Sequence, residues 1–220
     1  MSSIRAANAR YGAMFKFGEH RNYSNEEILG CVHQSLYAAG ISSIDEKTWR
    51  SFEESLPLLR SAIDVAVAEH SAAANWCMIL EYQIPRIGRR ADAIVIAGGL
   101  IFVIELKVGE DQFEQAAIRQ VEDYALDLSA FHKLSHDRVL VPVLVATAAS
   151  NCQQRVSKNG AVQGVHLCEG ADLGSTLASI WRSLKDPTCR DIGATLWANS
   201  PYYPTPTIIE AAQRLYSEHT

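Results

Sequence analysis

Long apolar runs are missing from this sequence: no stretch approaches the 18 or so uninterrupted hydrophobic residues of a membrane-spanning helix, so no such span is expected. The opening segment, MSSIRAANARYGAMFKFGEH, likewise lacks the apolar run of a signal peptide. Cysteine is sparse. Its five residues (Cys31, Cys77, Cys152, Cys168, Cys189) are odd in number, widely spaced and without a C-x-x-C pair. That pattern disfavours a zinc site and leads us to expect reduced thiols in a cytoplasmic protein. No G-x-x-x-x-G-K-[ST] loop occurs, so the chain is expected to hold no P-loop site of its own. Positive charge is also short: 20 Lys and Arg against 25 Asp and Glu leave a net charge of −5. That balance argues against nucleic-acid binding by bulk electrostatics alone, so any such contact is expected to be local or assisted by another domain.

What is present suits one globular domain, or one with an extension: 220 residues, 48% hydrophobic. The most informative stretch is RRADAIVIAGGLIFVIELKVG, residues 89–109. Two β-branched apolar runs, 91–97 and 100–108, flank Gly98-Gly99, a dipeptide suited to a two-residue hairpin turn because glycine accepts positive φ without steric cost. With the glycines as the turn, Ala97 pairs with Leu100, and counting back sets Asp92 opposite Glu105. Lys107, two residues on, shares their face. The other positions of that face, Ile94, Ile96, Ile101 and Val103, are apolar.

Three charges at one end of a buried hairpin need a reason. A sheet-end salt bridge is one: Lys107 neutralises Glu105 and Asp92. Yet acids outnumber bases, and two carboxylates about 4 Å apart repel by about 4 kcal/mol at an effective dielectric near 20. A divalent cation relieves that repulsion more fully. Carboxylate oxygens suit Mg²⁺, which commonly takes one or two of them and keeps waters for a substrate phosphate.

Around the hairpin, Ser24 and Glu27 form a capping-box pattern before a helix carrying Ile28, Val32 and Leu36 and stopped at Gly40. Residues 45–70 read as one helix kinked at Pro57, or two abutting ones, with Leu56, Leu59, Ile63 and Val67 facing the core. Residues 77–84 are a strand interrupted by Glu81. If Ile84 faces Ala91 in an antiparallel pair, Glu81 shares the face of Asp92, and a one-residue slip reverses that. The basic loop of Arg86, Arg89 and Arg90 is either a solvated turn or a track for a phosphate backbone. After the hairpin, Asp111 and Glu114 suggest a second capping box, with a helix to about Phe131 that sets Gln120 and Tyr124 on its apolar stripe. The strand expected over 138–146 contains Pro142, which predicts an edge or a bulge. A short strand over 162–167 and a helix over 172–184 follow. A proline-rich connector from Asn199 then leads to a last helix with Thr207 and Glu210 as its capping pair.

Asp92, the hairpin and Glu105-Leu106-Lys107 resemble the signature of the PD-(D/E)XK nuclease superfamily, and Gln120-x-x-x-Tyr124 on the next helix is similar to the Q-x-x-x-Y of its RecB-like branch. The resemblance implies an α/β fold with a restriction-endonuclease-like αβββαβ core and a mixed central sheet flanked by helices. It implies Mg²⁺-dependent hydrolysis of nucleic acid, DNA in the first instance, with Mn²⁺ able to substitute. Asp92 and Glu105 would hold the metal, Lys107 would complete the catalytic set, and Gln120 and Tyr124 would order the site or bind the strand. Glu81 is kept as a third acid and Arg90 as a phosphate contact, while Glu53, Glu54 and Glu69 are rival acids, since the first core helix of this fold often supplies one. The run from EYQIPRIGRRAD through EDYALDLSAFH to PTPTIIEAAQRLYSEH further resembles bacterial proteins that join such a nuclease domain to a Schlafen-type superfamily 1 helicase or ATPase. On that reading residues 1–44 are a helical extension, 45–198 the nuclease-like domain, and 199–220 a connector toward a helicase or ATPase partner in cis. A role in DNA processing or anti-phage defence is implied by the resemblance alone. A nuclease fold that binds nucleic acid or a partner protein without cutting is the alternative, and homo-oligomerisation stays open.

Overall fold

The Gly98-Gly99 pair turns the chain as its missing side chains allow. Gly98 takes φ +64°, and a Cβ on Gly99 would stand 2.5 Å from Cys189 Sγ, so the turn needs glycine for conformation at one position and for space at the next. In this computed structural model, which describes residues 10–41, 45–85, 87–150, 153–154, 160–186 and 188–203, the hairpin is the centre of a mixed sheet. Its strands are β1 (Ala13–Lys16), β2 (Cys77–Ile84), β3 (Arg89–Ala97), β4 (Leu100–Lys107), β5 (Val139–Ala146), β6 (Gln153–Gln154) and β7 (His166–Glu169). They lie in the order β1-β2-β3-β4-β5-β7-β6. The β1-β2-β3-β4 run is antiparallel, and β4, β5 and β7 are parallel.

Helices cover both faces, as an α/β chain with strands apolar on both sides requires. On one face lie α1 (Asn25–Ala38), α2 (Glu46–Glu69) and α4 (Leu173–Leu184), whose Val32, Leu56, Leu59, Ile63, Leu173 and Leu177 pack with Leu80, Val95, Phe102 and Ile104. On the other lie α3 (Gln115–Phe131) and the short α5 (Ala194–Ala198), whose Val121, Tyr124, Leu128 and Trp197 pack with Ile79, Ile94, Ile101 and Val103. The element order α2, β2, β3, β4, α3, β5 is the one the sequence pattern predicts.

Several expectations need correction. A strand, β1, lies inside the segment expected to be a helical extension, and it hydrogen-bonds to β2. The α1 capping box forms as expected, with Glu27 N donating to Ser24 Oγ at 3.2 Å and Ser24 N to Glu27 Oε2 at 2.7 Å. The second expected box does not: α3 starts at Gln115 with Glu114 as its N-cap and no side-chain cap bond, leaving Asp111 outside the helix. Residues 46–69 are one continuous helix that includes Pro57, capped by Asp45. Strand β5 is internal, not an edge, although it carries Pro142. Leu140 N–H points toward the β7 side, to Ala161 O at 3.1 Å, so the nitrogen of Pro142 two residues on faces the same way. The neighbouring ladder begins only at Val143–His166, and Pro142 therefore falls in the gap between that ladder and the isolated Leu140–Val162 bridge. Between those two pairings β5 advances three residues and the opposing segment four, so the ladder carries an extra residue beside Pro142, the bulge expected as the alternative to an edge.

The connector expected from Asn199 starts on the body of the protein. Trp197 is fully buried, donating Nε1 to Ser135 Oγ at 2.9 Å, and Tyr203 N donates to Phe131 O at 2.8 Å. The helix expected around Thr207 and Glu210 lies outside the described residues, as does Arg86. Among the described residues no helix is long and apolar enough to cross a membrane.

One irregularity prepares the site. Side chains alternate regularly along β2 and β3 until Glu81 and Asp92, where both strands change phase: Leu80 and Ala93 pack with α1 and α2, but Tyr82 and Ala91, each two residues away, pack with α3. Before β1 the same change occurs at Gly12, between Tyr11 and Ala13. The β1–β2 and β2–β3 registers align Gly12, Glu81 and Asp92 in one row across the sheet. Glu81 holds this row with φ +53°, a left-handed conformation that a non-glycine residue adopts at a cost of about 1–3 kcal/mol.

Candidate active site

Hairpin register fixes the centre of the site. The β3–β4 ladder runs from Ala97–Leu100 to Ala93–Ile104, as the glycine turn dictates, and stops one step before Asp92 and Glu105. There the Asp92 side chain replaces the backbone partner: Leu106 N donates to Asp92 Oδ2 at 2.6 Å. The carboxylate is thus locked against the β4 backbone beside Glu105, at the carboxyl end of a strand, where α/β sheets commonly bind ligands.

Glu105 is 4% exposed and its two oxygens are treated differently. Oε1 accepts from Lys107 Nζ at 2.9 Å and from Gln120 Nε2 at 2.7 Å. Oε2 is buried and has no hydrogen-bond partner among the described residues. Gln120 Nε2 also donates to the hydroxyl of Tyr124, which is 1% exposed, at 2.8 Å, and Lys107 Nζ lies 3.5 Å from Gln120 Oε1. The one-turn spacing of Gln120 and Tyr124 on α3 therefore lets the glutamine bridge the tyrosine to Glu105.

Glu81 sits in the same cleft, 7% exposed and directly across from Asp92. The observed register, with Tyr82 on Ala91 and Ile84 on Arg89, is shifted two residues from the expected Ile84–Ala91 pairing. The expected pairing set Glu81 opposite Ile94, on the face of Asp92, and the observed register sets it opposite Asp92 itself. Arg90 Nη1 donates to the backbone carbonyl of Glu81 at 2.7 Å, holding the left-handed turn in place. Arg90 is thereby turned to β2, and Arg89 is the exposed arginine of the pair.

Burial raises all three acids above their usual values, and repulsion from a neighbouring carboxylate adds to it at Glu81 and Asp92. Desolvation leads in each case. For Asp92, desolvation with the Glu105 charge pushes the group up to about 8. Glu81 is raised well above its usual value by burial, then by Asp92. Glu105 is raised by burial, with Lys107 and Gln120 opposing.

The cleft above the acids has a volume of about 430 Å³. Its opposite wall comes from α1 and α2, through Ile28, Val32, Phe52, Leu56 and Leu59, with Asp45, Lys47 and Thr48 at the start of α2. The rival acids of α2 stand elsewhere. Glu53 and Glu54 are exposed, Glu53 accepting from Trp49 Nε1 at 3.0 Å, and Glu69 binds Arg182 on α4 at 3.2 Å. Sequence reasoning missed Gly12, whose absent side chain makes room beside Glu81 Cβ, 3.2 Å from where a Cβ would stand. It also missed the α1 wall of the cleft. Neither had a local signal, because both depend on β1 and α1 packing against β2.

Hard oxygen donors, one of them buried without a partner among the described residues, fit a divalent cation held by Asp92 and Glu105. They do not make a closed cage: among the described residues no three His, Cys, Asp or Glu side chains form a group able to hold a metal ion. Two carboxylates with water in the remaining positions are nonetheless the usual protein share of a Mg²⁺ site. No family model, curated protein or solved structure matches the chain.

Proposed function

We propose that this chain is a Mg²⁺-dependent nuclease of the PD-(D/E)XK type, with a restriction-endonuclease-like core, that hydrolyses phosphodiester bonds of nucleic acid, DNA in the first instance. The observation that carries the reading is the asymmetry of Glu105: Lys107 and Gln120 saturate Oε1 while buried Oε2 has no partner among the described residues and Asp92 stands alongside. A plain sheet-end salt bridge leaves no reason for Oε2 to be buried unpaired, at a cost of about 1–3 kcal/mol.

Asp92 and Glu105 would hold the cation, with the Leu106 carbonyl available nearby, and the bound metal would polarise a phosphate and lower the pKa of a coordinated water. Gln120 fixes the Glu105 carboxylate in one orientation, and Tyr124 fixes Gln120. Lys107 brings its ammonium group to the same spot, where it would stabilise negative charge developing on the phosphate. A role as the nuclease module of a nuclease-helicase protein goes with the same resemblance.

Cleavage of single-stranded, double-stranded and branched DNA and RNA, with Mg²⁺ and with Mn²⁺, tests this. Asp92→Asn and Lys107→Ala should each lower the rate by about 10²–10³ or more, the loss typical of removing a transition-state charge partner. Both variants should remain folded, as a cooperative thermal transition would show. Persistent cleavage in both removes the assignment. The other reading is a nuclease fold that binds nucleic acid or a partner protein without cutting. That reading predicts no heat of Mg²⁺ or Mn²⁺ binding in calorimetry.

A further inference from the structure

The cleft is asymmetric in a way the chemistry of hydrolysis does not require. Its acid floor faces a wall of aliphatic and aromatic groups from α1 and α2, among them Phe52. Phe52 belongs to a group of three rings: Trp49, one turn earlier on α2, lies 6.1 Å from Phe52 centroid to centroid, and His33 of α1 lies 5.9 Å from Trp49. Both contacts are edge-to-face, at 87° and 86°. Trp49 and Phe52 are half-buried and His33 is exposed. The indole Nε1 donates to Glu53 Oε1, one turn on along α2, at 3.0 Å, which favours one orientation of the ring. A ring with a favoured orientation loses less entropy on binding than a free one.

Charge excludes the usual way of holding a duplex. The cleft lining carries Asp45, Glu81, Asp92 and Glu105 against Lys47 and Lys107 only, and the whole chain is at −5. Duplex binding draws its affinity from many phosphate contacts by Lys and Arg, which this surface does not supply. The two ammonium groups at rim and floor, with a cation on the floor, match about one phosphate. Affinity for anything longer must come from the bases. At about 430 Å³ the cleft has the scale of a small-molecule site, able to enclose a nucleotide and not a base-paired helix.

We propose that Phe52 and Trp49, with His33 beside Trp49, form a stacking subsite for unpaired bases, so that the substrate is single-stranded nucleic acid gripped by its bases next to the scissile phosphate. This rests on the nucleic-acid reading above and adds to it the substrate class and the residues that select it. Base–aromatic stacking tolerates any sequence, because every base has a π-face, and each stacked base contributes about 1–3 kcal/mol, a factor of about 5 to 150.

The test is fluorescence anisotropy of a labelled oligothymidylate, an abasic strand of equal length and a duplex, with Ca²⁺ present, alongside Mg²⁺ cleavage of the same strands. Wild type should bind oligothymidylate at least about 5-fold more tightly than the abasic strand or the duplex. Trp49→Ala and Phe52→Leu should each collapse that preference, while Trp49→Phe retains most of it; Phe52→Leu keeps apolar bulk under the wall, so a folding defect is avoided. Equal binding of intact and abasic strands, a preference for duplex, no binding of any strand, or a preference indifferent to Trp49→Ala overturns the proposal. The nuclease reading fails separately: a protein that prefers intact single strands yet never cuts keeps the subsite and loses the hydrolysis, and one that cuts intact and abasic strands alike does the reverse.

Discussion

Gln120 is the residue on which the polar part of the site turns, because one amide group serves two buried neighbours. Its Nε2 donates to Glu105 Oε1 and to the Tyr124 hydroxyl. Replacing it with leucine leaves Glu105 with Lys107 alone and strands a hydroxyl that is 1% exposed. Gln120→Leu should therefore cost about 1–3 kcal/mol, against about 0.5–1.5 kcal/mol for Tyr124→Phe, which removes only the acceptor. Urea denaturation in a chelator orders the two, and a Tyr124→Phe loss equal to or above that of Gln120→Leu contradicts the bridging role. These two residues were legible in the sequence because helical spacing set a glutamine on an apolar stripe, where it needs a partner. The partner itself was not, because Gln120 meets Glu105 only through the way α3 packs on β4. The bond of Arg90 was not legible: its neighbourhood to Arg89 suggested a phosphate track, and the structure adds that its Nη1 donates to the carbonyl of Glu81, the residue at φ +53°.

At the scale of elements, the row Gly12–Glu81–Asp92 shows how three strands change phase together to open a cleft at one end of a sheet. Gly12 is packed against the α1 wall: a Cβ there would lie 2.8 Å from Val32 Cγ2 and 3.2 Å from Glu81 Cβ. Overpacking of this kind costs about 1–3 kcal/mol, so Gly12→Ala should destabilise by that amount and weaken cleavage by displacing Glu81 or the α1 wall. Gly30, exposed within α1 with open space for 4 Å around the place a Cβ would take, is the control of opposite sign. Gly30→Ala should stabilise by about 0.8–1.0 kcal/mol through helix propensity alone. Thermal melts of both variants decide it, and a neutral Gly12→Ala removes the packing argument. Periodicity and turn chemistry made α1, α2, the hairpin and α4 legible, since each carries its own signal. Strand β1 has only four residues, Ala13–Lys16, and pairs with a strand far along the chain, at Cys77–Leu80, which no local pattern announces. Pro142 left the choice between edge and bulge open for a related reason. Proline forbids a donor on one side of a strand, and whether that side has a neighbour depends on where the chain after β5 rejoins the sheet.

For the whole molecule, the acids of the cleft set how stability answers to pH. Glu81, Asp92 and Glu105 are all raised above their ordinary values by burial, with a neighbouring carboxylate adding to the rise at Glu81 and at Asp92, which reaches about 8. A carboxyl group whose folded pKa lies above its unfolded one binds protons more tightly when folded. It therefore contributes stability that is fully present below about pH 4 and is lost as pH rises through the folded value. The metal-free protein should consequently be more stable near pH 5 than near pH 8, each kilocalorie lost lowering the melting temperature by about 2–4 °C for a chain of this length. Asp92→Asn keeps an oxygen for the Leu106 N–H and carries no charge. That variant should flatten the pH slope and at pH 8 melt above wild type in chelator. Added Mg²⁺ replaces the protons as the neutralising charge, so its stabilising effect on wild type should grow from pH 5 to pH 8 and vanish in Asp92→Asn. Scanning fluorimetry across that range, with and without Mg²⁺, reads every arm. A wild-type melting temperature that climbs steadily from pH 5 to pH 8 in chelator would mean that the three carboxylates are solvated and paired. The electrostatic case for a cation between Asp92 and Glu105 would then be lost with it.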